Sequence, residues 1–447
     1  MSRYDRVRFI GYAVPTTPAD IVAVGDPNGT GALAGTYRAA DRLALDIEIR
    51  ARQLKVAVDT ARDAVRGGGD GVLNVFVAPE FYWHGQMGPY VHDPGERDPG
   101  EVILSKLAEL FPATEYPDFL FVLGTGITTK IRDLSVVMNA STTTVRNDVV
   151  KALGSAWLRS EGPLATVVFD SLVDFIKNAH AYPEVEVRNR AFVLGPGEFG
   201  GLNGELGATA LTTEKYFDSN EDFLLWDVTG RPVITEQMCA YPVLDLSGGD
   251  AKNSAFDPHS LFCLPGEAAE RYVAGVEICL DHADQRMRKS VHRTTWPADA
   301  SGLDLHLLPS CGMQLHPSSV AARAGGWAFN CDGQYVLDGT GPGAGRRSVV
   351  GGVPSVHADY VHSVGSVYGA HTQLARVASG PEGEGTRVPG GRDAVFGPPP
   401  EIDVVVIEVP PIDDFDVCFA GGPGAVHLYG SDSPLPLRGD VSPFAGM

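Results

Sequence analysis

Cysteine is scarce in this chain, at six among 447 residues, and no two of the six form a C-x-x-C pair. That spacing speaks against a disulfide scaffold and against a zinc ribbon. Reduced thiols are expected, most of them buried as small hydrophobes. Basic charge is also short. Lys+Arg number 35 against 56 Asp+Glu, a net charge of −21. Phosphate backbones and anionic membrane surfaces are bound through clustered Lys and Arg, so neither nucleic acid nor a membrane is expected as a partner. No apolar run approaches the roughly 20 residues that span a bilayer. The segment Met1 to Arg6 lacks the apolar stretch of a secretory signal, so a cytoplasmic location is expected. None of the twelve histidines falls in an H-E-x-x-H pattern, and His357 and His362 share neither a helix face nor a strand face. The glycine-rich loop Gly339 to Ser348 fails the G-x-x-x-x-G-K-[ST] spacing of a phosphate loop. No metal and no cofactor is expected.

What is present looks globular. Hydrophobic residues make up 44% and charged residues 20%, close to ordinary usage. The length admits two or three domains or one large core. Leu43, Ile47, Ala51, Leu54, Val58, Ala61 and Val65 lie on one face of a predicted helix, closed by Gly67, Gly68 and Gly69. Apolar strands are predicted at 7–14, 72–77, 119–123 (ending at Gly124), 190–194, 273–280, 303–308 and 402–409. Further helices are predicted at 164–176, 284–292 and, on alanine content, 320–329. The alternation favours one large α/β domain over 1–411, with a C-terminal extension over 412–447.

Three segments carry residues suited to chemistry. In Val77-Ala78-Pro79-Glu80-Phe81-Tyr82-Trp83 a carboxylate follows an apolar strand, where ligand sites of α/β sheets gather. In Gly275-Val276-Glu277-Ile278-Cys279-Leu280-Asp281-His282 a thiol ends a strand just before a predicted helix, whose N–H groups favour a thiolate or an oxyanion. In Thr213-Glu214-Lys215-Tyr216 a lysine lies among polar and aromatic residues. Taken singly, each has an ordinary explanation as a loop acid, a core thiol or a solvated lysine.

As an ordered set, Pro79-Glu80, Lys215 and Ile278-Cys279-Leu280-Asp281 resemble the nitrilase superfamily of carbon–nitrogen hydrolases. Asn189-Arg190-Ala191-Phe192-Val193 resembles the strand before the family's lysine, and Asp304 to Ser310 the strand after its cysteine. The resemblance covers residues 5–410 and implies a four-layer α-β-β-α sandwich, with insertions near 130–182 and 240–268. It implies a cysteine nucleophile at Cys279, a general base at Glu80, and an oxyanion held by Lys215 and the Leu280 N–H, with a thioester intermediate. Glu221 is the candidate for the family's second glutamate. Tyr82, Trp83, His282 and Arg286 are pocket candidates by position. Leu280-Asp281 after the cysteine is closer to the family's amidases than to its nitrilases, which tilts the expectation toward a hydrolase of an amide or carbamoyl group in a small molecule. Nitrile hydrolysis, acyl transfer to an amine and a non-catalytic assembly scaffold are the alternatives. The resemblance also implies a homodimer or larger homo-oligomer, with Phe415, Phe419, Leu428 and Tyr429 as apolar anchors of the tail.

Overall fold

The computed structural model describes residues 4–16, 22–24, 32–34, 37–65, 70–85, 88–92, 95–133, 154, 157–159, 162, 165–169, 184–200, 207–215, 239–241, 260–265, 272–289, 302–334, 344–361, 367–379, 383–386, 391–397 and 403–438. The chain first forms β1 (Arg6–Ala13), β2 (Val72–Ala78), β3 (Phe119–Asp133), β4 (Glu184–Leu194) and β5 (Ala210–Glu214). Next come β6 (Leu261–Cys263), β7 (Val273–Val276), β8 (Leu303–Ser310), β9 (Ala322–Asp332), β10 (Ala344–Val350), β11 (Val353–Val361) and β12 (Val367–Arg376). β13 (Val404–Glu408) and β14 (Ala425–Tyr429) follow. Five short strands, Val22–Val24, Ala32–Ala34, Tyr90–His92, Cys239–Tyr241 and Leu435–Pro436, lie off the two main runs. One sheet runs β13-β14-β1-β2-β3-β4-β5 and the other β6-β7-β8-β9-β12-β11-β10. Both are mixed. β1, β2 and β3 are parallel, as are β7, β8 and β9, while the flanking pairs are antiparallel.

Parallel neighbours need a crossover, and helices supply it on the first sheet. α1 (Leu43–Val65) joins β1 to β2, and α2 (Pro99–Leu110) lies between β2 and β3. Pro99 opens α2, and the Asp98 side chain caps it by accepting from the Gly100 N–H at 2.8 Å. Every residue of β2 is buried because its two faces enter different cores. Leu73, Val75 and Val77 meet Leu305, Leu307 and Phe329 of the second sheet. Phe76 and Ala78 pack with Ile47, Leu54 and Val58 of α1 and with Ile103 and Leu107 of α2. Two-sided burial explains why these strands read as continuous apolar runs.

The protein is thus mixed α/β with two mixed sheets and few helices. α3 (Leu280–Ala283) and α4 (Arg286–Lys289) are single turns, and only α4 falls within the helix expected over 284–292; residues 290–292 lie outside the described residues. Of the expected helix at 164–176, residues 165–169 are helical and the remainder lies outside the described residues. The segment 320–329, expected as a helix, is instead mostly β9. It pairs with β8 on one side and β12 on the other, and that pairing overrides the helical propensity of its alanines. Gly124 does not end β3. It takes φ +76° inside the strand, at a register shift between Val122 and Thr125. Most of the segments read as insertions lies outside the described residues.

The C-terminal residues are built into the first sheet of their own chain. β14 pairs with β1 and β13, setting Leu428 opposite Ile10 and Val405. Phe415 and Phe419 stack at 4.7 Å within the core beneath α1, and Tyr429 enters the core between the sheets. Among the described residues, no helix is long and apolar enough to cross a membrane.

Candidate active site

Glu80 and Lys215 meet although one follows the central strand of the first sheet and the other its edge strand. Glu80 follows β2, and Lys215 follows β5 at the sheet edge. Lys215 Nζ donates to Glu80 Oε1 at 2.8 Å, and both side chains are buried. Asn189 of β4 donates from Nδ2 to the same oxygen at 2.9 Å, and its backbone oxygen accepts from the Lys215 N–H at 2.9 Å. One asparagine therefore sets both partners. The Lys215 ammonium also lies 5.8 Å from the centroid of the Phe81 ring.

Cys279 is joined to Glu80 through the end of β8. The Cys279 N–H donates to Pro309 O at 3.2 Å, and the Glu80 N–H donates to the next carbonyl, Ser310 O, at 3.2 Å. The Cys279 thiol lies 3.7 Å from the carbonyl after that, Cys311 O. Three successive carbonyls thus hold the Glu80 backbone and Cys279 against one strand end. The loop that follows is tied down by Asp332. Its Oδ2 accepts from the Gly312 and Met313 N–H groups at 2.9 and 2.6 Å, and its Oδ1 from the Gln334 N–H at 2.7 Å. Burial pushes the Asp332 carboxyl up to about 7, against those bonds and one from Ser310, which pull it down.

Both arms of the site carry unusual backbone. Phe81 has φ +57°, and Cys279 has φ +45° with ψ −109°. Non-glycine residues are rare there and cost about 1–3 kcal/mol, so the surrounding bonds must over-determine them. For Phe81 those bonds are its N–H to Thr125 Oγ1 at 3.1 Å and the Trp83 N–H to Thr125 O at 3.0 Å. For Cys279 the thiol stands at the N-terminal end of α3, and its carbonyl accepts from the His282 N–H at 2.8 Å.

Four of the remaining candidates, Tyr82, Trp83, His282 and Arg286, are buried. Tyr82 and Trp83 are wholly buried in the α1 core. Tyr82 O–H donates to Arg50 O at 2.9 Å and Trp83 Nε1–H to Leu123 O at 2.8 Å, so both anchor the turn after Glu80. His282 is also fully buried, 2.7 Å from Glu277. Arg286 is buried and pairs with Asp284 at 2.9 Å. Leu280 opens α3 directly after Cys279. Glu221 lies outside the described residues. A separate cavity of about 440 Å³ is lined by Asp41, Asp46, Tyr90, His92, Trp157 and Arg159 among others, but by none of Glu80, Lys215 and Cys279.

Sequence reasoning named Asn189 only as part of a strand and missed Glu277 and His306 as a pair. An acid inside the apolar run Val276-Glu277-Ile278 was the available signal, since a charge within a buried strand needs partners. Among the described residues, Glu277, His282 and His306 form a group whose potential ligand atoms lie within 4.8 Å of one another. No protein-family model, no curated protein and no solved structure matches this chain.

Proposed function

We propose that the protein is a carbon–nitrogen hydrolase of the nitrilase type, acting on an amide or carbamoyl group of a small molecule. The observation that carries this reading is the buried contact of Lys215 with Glu80, set beside Cys279 on consecutive carbonyls of β8. A thiol is a weak nucleophile until deprotonated, and Glu80 is the carboxylate at hand. Cys279 Sγ attacks the carbonyl carbon as Glu80 takes the thiol proton. The Lys215 ammonium and the Leu280 N–H stabilise the oxyanion. Collapse breaks the C–N bond, and Glu80 returns its proton to the departing amine. Water then attacks the thioester, giving one proton to Glu80, and the acid leaves as the proton returns to sulfur.

The same reading arranges the chain as a four-layer α-β-β-α sandwich. Its support is the layering of α1 and α2 on the first sheet and the packing of α4 Met287 against Leu261 and Leu303 of the second. It also assembles the chain into a homodimer or larger homo-oligomer.

The test is ammonia release from a panel of primary amides, N-carbamoyl compounds and nitriles. Turnover of at least one amide or carbamoyl compound is expected, with loss of activity in Cys279→Ala. Undiminished turnover in Cys279→Ala overturns the reading. Hydroxamate formation with added hydroxylamine, faster than hydrolysis, shifts it to acyl transfer.

A further inference from the structure

The Glu277 cluster flanks Cys279 in the chain, and the protons in it can be assigned. The His316 backbone N–H points at His282 Nε2 at 3.1 Å, and the Ala321 backbone N–H points at His306 Nδ1 at 3.2 Å. A backbone N–H can only donate, so both of these ring nitrogens are acceptors. A neutral imidazole then carries its one proton on the other nitrogen. Those nitrogens, His282 Nδ1 and His306 Nε2, lie 2.7 and 3.0 Å from the same oxygen, Glu277 Oε2. Glu277 Oε1 accepts from the Met287 N–H at 2.7 Å. Burial opposes the Glu277 charge, but the bonds from His282 and His306 outweigh it and hold the carboxyl well below the usual range.

This polarity is the reverse of a metal centre. A ligating histidine turns a lone pair to the ion and usually donates its other N–H to an acceptor. Here the other nitrogens face N–H donors. An ion at Glu277 would require imidazolates or the loss of both backbone bonds.

The bonds converge on the elbow that presents Cys279. Glu277 lies two residues before the thiol and His282 three residues after it. His306, between Leu305 and Leu307 on β8, ties them to the strand whose end holds the Cys279 N–H. Met287 brings in α4. We propose that Glu277, His282 and His306 are positioning residues that hold Cys279 in its left-handed turn through a proton-specific hydrogen-bond cluster that excludes a metal ion. The inference rests on the proposed role of Cys279 as nucleophile.

The test follows carbamidomethylation of Cys279 by iodoacetamide, with Cys311 as the partly exposed internal reference. Glu277→Gln and His306→Leu are expected to slow Cys279 roughly tenfold or more, since misplacement by about 1 Å costs ~100-fold at a reacting centre. His306→Gln places an amide N–H where the ring Nε2–H was, and is expected to stay within about twofold of wild type. If Glu277→Gln does not fold, the His306→Gln and His306→Leu pair decides alone. A Cys279 rate unchanged by His306→Leu in folded protein, or equal slowing by both His306 variants, overturns the proposal. So does one equivalent of bound Zn²⁺ or Co²⁺ that His306→Leu abolishes. Glu80→Gln in the same assay separates the two readings. If it leaves Cys279 unaffected, Glu80 is not the base and the hydrolase reading fails, whatever the His306 pair shows.

Discussion

Lys215 Nζ lies 2.8 Å from Glu80 Oε1 with both side chains buried, although 135 positions separate the two residues in the chain. Removing one partner of such a pair strands the other charge in the core, at a cost of about 3–5 kcal/mol. Lys215→Met is expected to lose stability on that scale. The double variant Lys215→Met/Glu80→Gln should lose less than the sum of the single variants, because neither strands a charge. Urea denaturation of the three variants checks this; strict additivity contradicts the contact.

The Cys279 backbone gives a second expectation. At φ +45° and ψ −109° a side chain is strained, and glycine is not. Cys279→Gly should therefore be more stable than Cys279→Ala by roughly 1–3 kcal/mol, although glycine elsewhere destabilises. The two melting temperatures decide the point, and a lower value for the glycine variant counts against the elbow.

Stability should rise with pH on the acid side. Burial drives His371 and His427 down to about 3, with further lowering from neighbouring charges, and His282 and His84 are lowered as well. In the unfolded chain histidine titrates near ~6.5. Between about pH 3 and pH 6.5 the unfolded chain thus binds more protons at His371 and His427, and stability falls as pH falls; His282 and His84 act in the same direction. Asp332, raised to about 7, works in the opposite sense: the stability it contributes is present below about pH 4 and is lost as pH rises toward 7. Each group supplies up to ~1.4 kcal/mol per pH unit within its window, so the two histidines near 3 outweigh one aspartate. The urea midpoint is expected to climb from pH 4.5 to pH 6.5; a flat or falling profile would show that these rings are not held neutral.

Gly124 and Gly352 form a matched pair. Both have positive φ, +76° and +82°. A Cβ on Gly124 would lie 2.6 Å from Tyr82 Cβ and 2.9 Å from Pro79 O, whereas one on Gly352 meets nothing within 4 Å. Gly352→Ala should cost about 1–2 kcal/mol from backbone alone. Gly124→Ala adds a clash worth roughly 1–3 kcal/mol and pushes on the turn that carries Glu80. Equal losses in chemical denaturation would place the Glu80 turn away from Gly124.

The legibility of the chain follows from how local each signal is. The α1 stripe and the β2 run read directly, because helix and buried-strand periods need only near neighbours. Glu80, Lys215 and Cys279 were legible as an ordered set, and Glu80 with Lys215 does come into contact. The alanines of 320–329 favour a helix locally, and the partners that make the segment β9, namely β8 and β12, are invisible locally. The position of His282 just after the thiol makes it a pocket candidate by sequence alone. Its burial depends on His306 and Glu277, and the link to His306 crosses to another strand. The β14 pairing with β1 spans nearly the whole chain and leaves no local mark.

The central claim, that Cys279 is the activated thiol and Glu80 its base, is tested most directly by alkylating all six cysteines with iodoacetamide and following each by peptide mass spectrometry. Burial raises Cys418 to about 12 and pushes Cys331 well above the usual thiol range, so both should react slowly. Cys279 is expected to react fastest at neutral pH, and Glu80→Gln is expected to slow it without changing Cys311. Cys279 labelled no faster than Cys331 and Cys418 in the folded wild type would contradict the account.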